Sequence, residues 1–405
     1  MKLDNEISLY IHLPFCEQLC TYCACNKRIT KNHKVESPYI DTILKEWDYY
    51  LEHLQTLPVI KELHLGGGTP TFFSPSELTR LVKGITEKVE VAEDKIFSIE
   101  IHPNTTSEAH LETLRDLGFS RVSIGVQDVD EFILSAINRT QTKDQIIDLT
   151  EKSRKLGFKS VNYDIIYGLP FQRVENIEKT VGFIQSLKPD RLAFYSYAHV
   201  PWKSKGQRAF DDTDVPDGQE KIKLKELGHR LLKEIGYKHV GMDHYSLRSD
   251  TLYKSYKKGS LHRNFMGYTE AKTRCLIGLG ASSISDSHDM YVQNEKGVEE
   301  YQDRISRNDL ALTKGHILSD KEILIREHII SLMCRNYTNW KGTIIQQGIM
   351  VPAITKLSEK ISDELVEWKN NSLTVTSKGR HFIRNICADI DPLFKSDRTK
   401  FSKSL

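Results

Sequence analysis

The sequence predicts an α/β fold built on a parallel sheet, followed by a smaller, mainly helical domain. Three observations carry this expectation. Short apolar runs alternate with helical patterns six times between residue 8 and about residue 200. Three helical patterns end alike, at Leu117-Gly118-Phe119, Leu156-Gly157-Phe158 and Ile235-Gly236-Tyr237, and each leads at once into a strand. Polar residues also gather where the apolar runs stop. Strands alternating with helices make a parallel sheet, as a barrel, part of one, or an open doubly wound sheet. In all of these, ligands bind at the C-terminal ends of the strands.

Taken in order, the strands are expected at 8–14, Glu62–Leu65, Phe97–Ile101, Arg121–Val126, Ser160–Tyr167 and Arg191–Tyr197. Ser74-Pro75-Ser76-Glu77 opens a helix with an N-cap serine, proline at the first turn and glutamate at its third position. Thr142-Lys-Asp-Gln145 repeats the capping box. The glycine that ends each of the three helices relieves the left-handed turn there, and the aromatic after it packs back on the last turn. The charged stretch from Lys203 to Asp217 reads as a solvated loop, and an amphipathic helix follows over about 218–235. Gly278-Leu-Gly280-Ala-Ser-Ser-Ile284-Ser reads as a turn of small residues beside a ligand or close packing. Ser319-Asp-Lys-Glu322 opens a helix to about Asn336, and Leu373 to Arg380 has the strand and turn of a winged helix.

Composition narrows the class. The 405 residues suit two domains, expected at 1–300 and 301–405. Net charge is +2, too small to favour nucleic acid or an anionic membrane. No apolar run approaches the roughly 18 residues of a membrane span, and no signal-peptide core follows Met1. Four of the seven cysteines fall within ten residues, which suits a reduced cytoplasmic protein with a metal site, not a disulfide scaffold. Cys275, Cys334 and Cys387 are scattered and read as buried small apolar residues. Monomer is the default oligomeric state.

The chemistry centres on Cys16-Glu-Gln-Leu-Cys20-Thr-Tyr-Cys23, directly after the first strand. Three thiolates on one loop can hold three irons of a cubane and leave the fourth open to a substrate or cofactor. Structural zinc, with four ligands, is a competing reading that Cys25 keeps open. A Cys-x-x-Cys dithiol at Cys20 and Cys23 is another, although the surrounding sequence lacks a thioredoxin-like pattern.

Other polar groups fall at the strand ends. Gly66-Gly67-Gly68-Thr69-Pro70 lacks the residues of a phosphate loop and the spacing of a dinucleotide fingerprint, so it offers close approach to backbone. Glu100, His102, Gln127, Asp164 and His199 end later strands. A buried Asp164 needs a partner, because an isolated buried charge is costly. His262-Arg-Asn-Phe-Met-Gly-Tyr268 places a basic pair beside aromatics.

With these features assembled, the chain resembles the radical S-adenosylmethionine (SAM) enzymes. Within them it is similar to the family of oxygen-independent coproporphyrinogen III oxidases (coproporphyrinogen dehydrogenases). The motifs are Tyr10-Ile-His-Leu-Pro-Phe-Cys16, the cysteine loop with Cys25-Asn-Lys, Leu63 to Thr71, Gly125-Val-Gln-Asp128 and Asp164 to Pro170. Gly241-Met-Asp-His244, His262-Arg-Asn-Phe, Gly267-Tyr268, Gly379-Arg and Ile383-Arg-Asn-Ile-Cys387 extend the likeness over nearly the whole chain. The extra Cys25 and the C-terminal motif argue against the related haem chaperone. Family members carry some tens of residues before the first strand, whereas Met1 to Ile7 stand there in this sequence.

The resemblance implies a partial (β/α)6 TIM-like barrel with a winged-helix-like C-terminal domain. It implies one 4Fe–4S cluster on Cys16, Cys20 and Cys23, with Cys25 outside the ligand set, and two SAM molecules. Tyr10, Gly67, Glu100 and Ile284 match positions at the cluster-bound SAM. Tyr22, Gly68, Thr69, Gln127, Arg139, Asp164 and Ala198 match those at the second, with Tyr22 in place of phenylalanine. The implied reaction, in porphyrin and haem biosynthesis, begins with reductive cleavage of SAM. The resulting deoxyadenosyl radical takes hydrogen from a propionate β-carbon of coproporphyrinogen III. Loss of carbon dioxide and an electron leaves a vinyl group; two such rounds give protoporphyrinogen IX without a protein nucleophile. An electron donor and an acceptor, neither identified by the sequence, are required. Arg263 is a further candidate, for a substrate propionate. The alternatives are a related radical SAM enzyme or a haem-trafficking protein acting on haem or another tetrapyrrole.

Overall fold

The computed structural model describes residues 5–202, 204–273 and 275–394; Lys203, where the charged stretch was expected to begin, lies outside them. The chain forms two compact units. The first comprises residues up to Gly236 together with Thr273–His316, the second Tyr237–Lys272 and the chain from Ile317 onward. The expected division at residue 300 therefore falls inside the first unit, and residues 237–272 group with the C-terminal part. A linear cut fails because Cys275–Leu279, which overlaps only the first two residues of the stretch Gly278–Ser285 read as a turn, is a strand that returns to the first sheet.

The six expected strands are present: β1 Glu6–Leu13, β2 Val59–Gly67, β3 Glu90–Ile101, β4 Arg121–Gln127, β5 Ser160–Tyr167 and β6 Arg191–Ser196. Each pairs in parallel with the next. Cys275–Leu279 joins the other side of β1, also parallel, and Ile284–Asp286, Met290–Asn294 and Leu312–Ile317 continue the sheet from there. The helices between and after these six strands are α1 Glu36–His53, α2 Pro75–Thr86, α3 Glu108–Asp116, α4 Glu131–Ala136, α5 Lys143–Lys155, α6 Val174–Leu187 and α7 Gly218–Glu234, and Val298–Ser306 is a further helix of the first unit. Their caps follow the sequence: Ser74 Oγ accepts from Glu77 N, and Thr142 and Gln145 complete a reciprocal box. Gly118, Gly157 and Gly236 all take positive φ where their helices end.

The strands alternate in a way that explains where a ligand can go. Leu9, Ile11, Leu63, Leu65, Ile99 and Ile124 are fully buried on one face. Register carries Tyr10, His64, Glu100, Ser123, Asn162 and Asp164 to the opposite face, where each is only half-buried. Parallel strands covered by apolar packing on both faces read as continuous apolar runs. A polar second face marks the inside of this partial barrel as wet.

One carboxylate is buried away from that face. Glu46 of α1 is fully enclosed and accepts hydrogen bonds from Gly280 N at 2.9 Å, Tyr301 OH at 2.6 Å and Asn294 Nδ2 at 2.6 Å. Burial pushes its carboxyl up to about 7, against these hydrogen bonds. A native value above the ordinary 4.5 means that the folded state holds the proton more tightly. This contribution is full below pH 4.5 and is lost as pH rises through about 7. Wild type should therefore lose stability relative to Glu46→Gln between pH 5 and 8, by on the order of 3 kcal/mol at the upper end. Parallel urea titrations of the two proteins check this.

The second unit has its own core. Ile325, Leu332, Trp340, Met350, Ile354 and Leu373 pack together with the buried Cys387. The strands Tyr337–Asn339, Ser372–Val375 and Val366–Lys369 form an antiparallel sheet in that order beside the helices Asp320–Arg335, Ile344–Thr355, Ser358–Ser362 and Ile383–Ile390. This is the expected winged-helix arrangement. Segment 237–272 joins it through Val240, Leu252, Leu261 and Tyr268, which cluster with Cys334. The His262 stretch is a hairpin, His262–Asn264 with Gly267–Thr269.

Candidate active site

The cysteine loop leaves β1 through Pro14 and is fastened on several sides. Thr21 N donates to Ile137 O at 3.1 Å, and Asn138 Nδ2 to Leu19 O at 2.6 Å. Lys27 Nζ donates to Cys23 O at 2.9 Å, and Gln207 Nε2 to Tyr22 O at 3.2 Å. Cys16 is buried, Cys20 and Cys23 are half-buried, Cys25 is exposed, and all four are free thiols. Two donors aim at sulfur: Thr69 Oγ1 lies 3.3 Å from Cys16 Sγ and Arg139 Nη1 3.6 Å from Cys20 Sγ. Burial pushes the Cys16 thiol up to about 11, whereas the hydrogen bond from Cys25 draws Cys23 down to about 6, with Lys27 adding.

The glycine run that ends β2 closes against this loop. Gly68 N donates to Leu13 O at 2.9 Å and Thr69 N to Phe15 O at 3.0 Å. A Cβ on Gly68 would lie 2.5 Å from Pro14 O and 3.0 Å from Cys16 Sγ. Gly67 has φ +116, and a Cβ there would meet the His12 ring at 2.7 Å. His12 Nε2 is 2.8 Å from Asn26 O, which only accepts, so Nδ1 is left to accept from Tyr10 OH at 2.9 Å.

Two carboxylates stand on the polar face. Glu100 Oε2 accepts from Gly67 N at 3.2 Å, and its other oxygen is 3.5 Å from His64 Nε2. Burial opposes its ionisation, yet His64 and the Gly67 N–H hold the carboxyl below the ordinary range. Asp164 accepts from Ser123 Oγ at 2.8 Å and Asn162 Nδ2 at 3.0 Å. Burial, with repulsion from Glu100, pushes it up to about 6 despite those bonds. Two acids that feel one another on one polar sheet face suit a ligand carrying a positive charge and hydroxyls.

Arg139 is buried and spends every nitrogen. Nη1 donates to Tyr22 OH at 3.1 Å, Nη2 to Gly125 O at 2.8 Å and Nε to Gln141 Oε1 at 2.7 Å. Gly125 makes room for this, since a Cβ there would lie 2.8 Å from Gln127 Nε2 and 3.2 Å from Arg139 Nη2. Gln127 itself is held at φ +65, in the left-handed region. Arg139 also lowers the basicity of His102, which burial chiefly brings to about 3. Ala198 is exposed after β6, its carbonyl tied to Tyr22 through Gln207 Nε2. Ile284 begins the strand beside Gly278, and Gly278 is the register partner of Tyr10.

The sequence-derived residues thus gather in three linked groups in the first unit: the cysteines with Gly68 and Thr69, Tyr10 with Gly67 and Glu100, and Tyr22 with Gln127 and Arg139. Arg263 belongs to the second unit, where its guanidinium lies 5.0 Å from the centre of the Tyr268 ring. Sequence reading did not single out His12, His64, Ser123, Asn162 or Gln207 as site residues. Strand alternation with Tyr10, Glu100 and Asp164 would have found the first four. Gln207 carries no such signal.

This donor set fits a cluster. Among the described residues, no three His, Cys, Asp or Glu are arranged around a single ion. A cubane asks for something different, one thiolate to each of three irons, and hydrogen bonds to its sulfur ligands tune it. The Cβ-free cradle at Gly68 and the donors on Cys16 and Cys20 meet that demand.

Comparison with known proteins agrees with the site. The Radical SAM superfamily matches residues 10–184, which defines the class. An oxygen-independent coproporphyrinogen III oxidase of Pseudomonas aeruginosa is 36% identical over 99% of this chain and 89% of its own length. One from Helicobacter pylori is 34% identical over 100% of this chain and 90% of its own. The chain belongs to the family of oxygen-independent coproporphyrinogen III oxidases. The solved structure of the Escherichia coli coproporphyrinogen III oxidase, described as a radical SAM enzyme, superposes with a TM-score of 0.92 at 34% identity, covering 96% of this chain and 91% of that one.

Proposed function

We propose that the chain carries out the oxidative decarboxylation of two propionate side chains of coproporphyrinogen III to vinyl groups, giving protoporphyrinogen IX in haem biosynthesis. The observation that carries this is the three-thiol loop, hydrogen-bonded at sulfur by Thr69 and Arg139, beside a polar barrel interior. The near-full-length likeness to enzymes named for this substrate supports it. Cys16, Cys20 and Cys23 would hold a 4Fe–4S cluster. When bound, cluster and SAM supply one-electron cleavage of the sulfonium and a carbon-centred radical that removes hydrogen from a propionate β-carbon.

The chain's own residues bind, orient and exclude water. Gly67, Tyr10, Glu100 and Ile284 would receive the cluster-bound SAM: Gly67 lets the ligand approach backbone, and Glu100 meets an ammonium or hydroxyls. Tyr22, Gly68, Thr69, Gln127, Arg139, Asp164 and Ala198 would receive a second SAM. There a carboxylate would compete with Tyr22 and Gly125 for the guanidinium of Arg139, and Asp164 suits an amino group or ribose hydroxyls. Arg263 is assigned to a substrate propionate, which would compete with Tyr268 for its guanidinium. Among the described residues no helix is long and apolar enough to cross a membrane.

An anaerobic assay tests this. Reconstituted protein receives coproporphyrinogen III, SAM, a reductant and an electron acceptor, and products are followed by mass spectrometry. The expected result is 5′-deoxyadenosine with stepwise loss of two carboxyl groups. Deoxyadenosine without decarboxylation would move the assignment to another tetrapyrrole.

A further inference from the structure

We propose that the exposed basic edge formed by residues 28–34 is the docking face for a small acidic redox protein that reduces the cluster. This rests on the function proposed above. Lys27-Arg-Ile-Thr-Lys-Asn-His-Lys34 holds four lysines and arginines and no acid, in a chain whose net charge is only +2. Lys27 turns inward to the carbonyl of Cys23. Arg28, Lys31 and Lys34 are exposed, and between them Ile29 is 41% exposed. An apolar residue within a charged rim is the make-up of a small, transient interface.

What joins this edge to the chemistry is backbone. Arg28–Ile29 pairs in parallel with Phe15–Cys16, with Ile29 opposite Cys16. Arg28 N donates to Pro14 O at 2.8 Å and Thr30 N to Cys16 O at 2.9 Å. Arg28–Ile29 is thus one interstrand spacing, about 4.8 Å, from the main chain of a cluster ligand, and a protein seated on its outer side is about two such spacings away. The neighbouring acids are engaged: Glu299 holds Arg28 at 2.7 Å, Glu17 meets His33 at 3.4 Å, and Glu36 is buried against His33 at 2.6 Å. Among the described residues, no ion pair occupies Lys31 or Lys34. The free positive charge selects a donor with a negative surface, which loses one electron as the oxidised cluster gains it; no bond or proton moves.

The test uses reconstituted holoenzyme and a reduced acidic flavodoxin as the probe. Cluster bleaching is followed by stopped flow, and affinity for the oxidised flavodoxin by calorimetry. Lys31→Glu/Lys34→Glu is compared with Lys155→Glu/Lys233→Glu, which changes the same charge in the last turns of α5 and α7. At low salt the first pair should slow bimolecular reduction and weaken binding by about tenfold or more, and flatten their salt dependence. Reduction by dithionite should be unchanged in both variants. Equal slowing by the two pairs would make the effect one of net charge, and no slowing by either would remove the face; each result overturns the proposal while the function stands. A protein that dithionite cannot bleach has no reducible cluster, and removes the functional reading together with this one.

Discussion

Single replacement of Cys16, Cys20 or Cys23 by serine abolishes deoxyadenosine formation and removes the visible absorption of the cluster. The expected loss is to background, at least about a thousandfold, because each of the three thiolates holds one iron of the cubane. Cys25 is the informative comparison. It is exposed, and its hydrogen bond is to Cys23, so Cys25→Ser should keep the cluster absorption. Iron and labile sulfide contents of the four variants, measured after identical reconstitution, check the assignment. Loss of cluster from Cys25→Ser alone would transfer the ligand role to it. The urea profiles of Cys20→Ser and Cys23→Ser should stay close to that of the metal-free wild type, since both residues are only half-buried.

The second large effect is expected at Gly68. Alanine there must displace Pro14 O, which is backbone and already within 2.5 Å of the added carbon, or the loop that carries Cys16. Neither can yield alone, since Gly68 N to Leu13 O and Thr69 N to Phe15 O stitch the two segments together. A shift approaching 1 Å at reacting groups costs about a hundredfold in rate, so Gly68→Ala should lose at least that much turnover. Cluster occupancy should fall with it. Gly182, in the middle of α6 with nothing within 4 Å of an added Cβ, is the control. Gly182→Ala should keep full activity and gain about 0.5–1 kcal/mol of stability from helix propensity. Steady-state kinetics and thermal melts of the two variants separate the cases.

The barrel was legible because its signals are local. A capping box, a glycine after a last turn and a run of alternating apolar residues each act within a few residues, and six repetitions leave little freedom in topology. The cysteine spacing is local too. What escaped the sequence depends on distant pairings. Cys275-Leu-Ile-Gly-Leu279 is a short run with a glycine in it, and nothing within it announces that it lies beside β1. The grouping of residues 273–316 with the first unit goes with that one strand, whose partner lies more than 260 residues away. The three groups of site residues show the same limit. Arg139 lies far along the chain from Tyr22 and Cys20, and its contact with them becomes visible only when β4 and α4 have been folded against the loop.

The interrupted course of the first unit has a consequence for synthesis. β1 is flanked by β2, made soon after it, on one side and by Cys275–Leu279, made some 200 residues later, on the other. Translation at about 5–20 residues per second separates these events by roughly ten seconds to a minute. During that interval β1 is an edge strand rich in apolar side chains, open to pairing with other nascent chains. It also carries the cysteines at its end. Slow or starved translation between residues 60 and 275 should therefore raise aggregation more than the same delay placed after residue 316, and iron delivery would meet a half-walled cradle until the last parallel strand arrives.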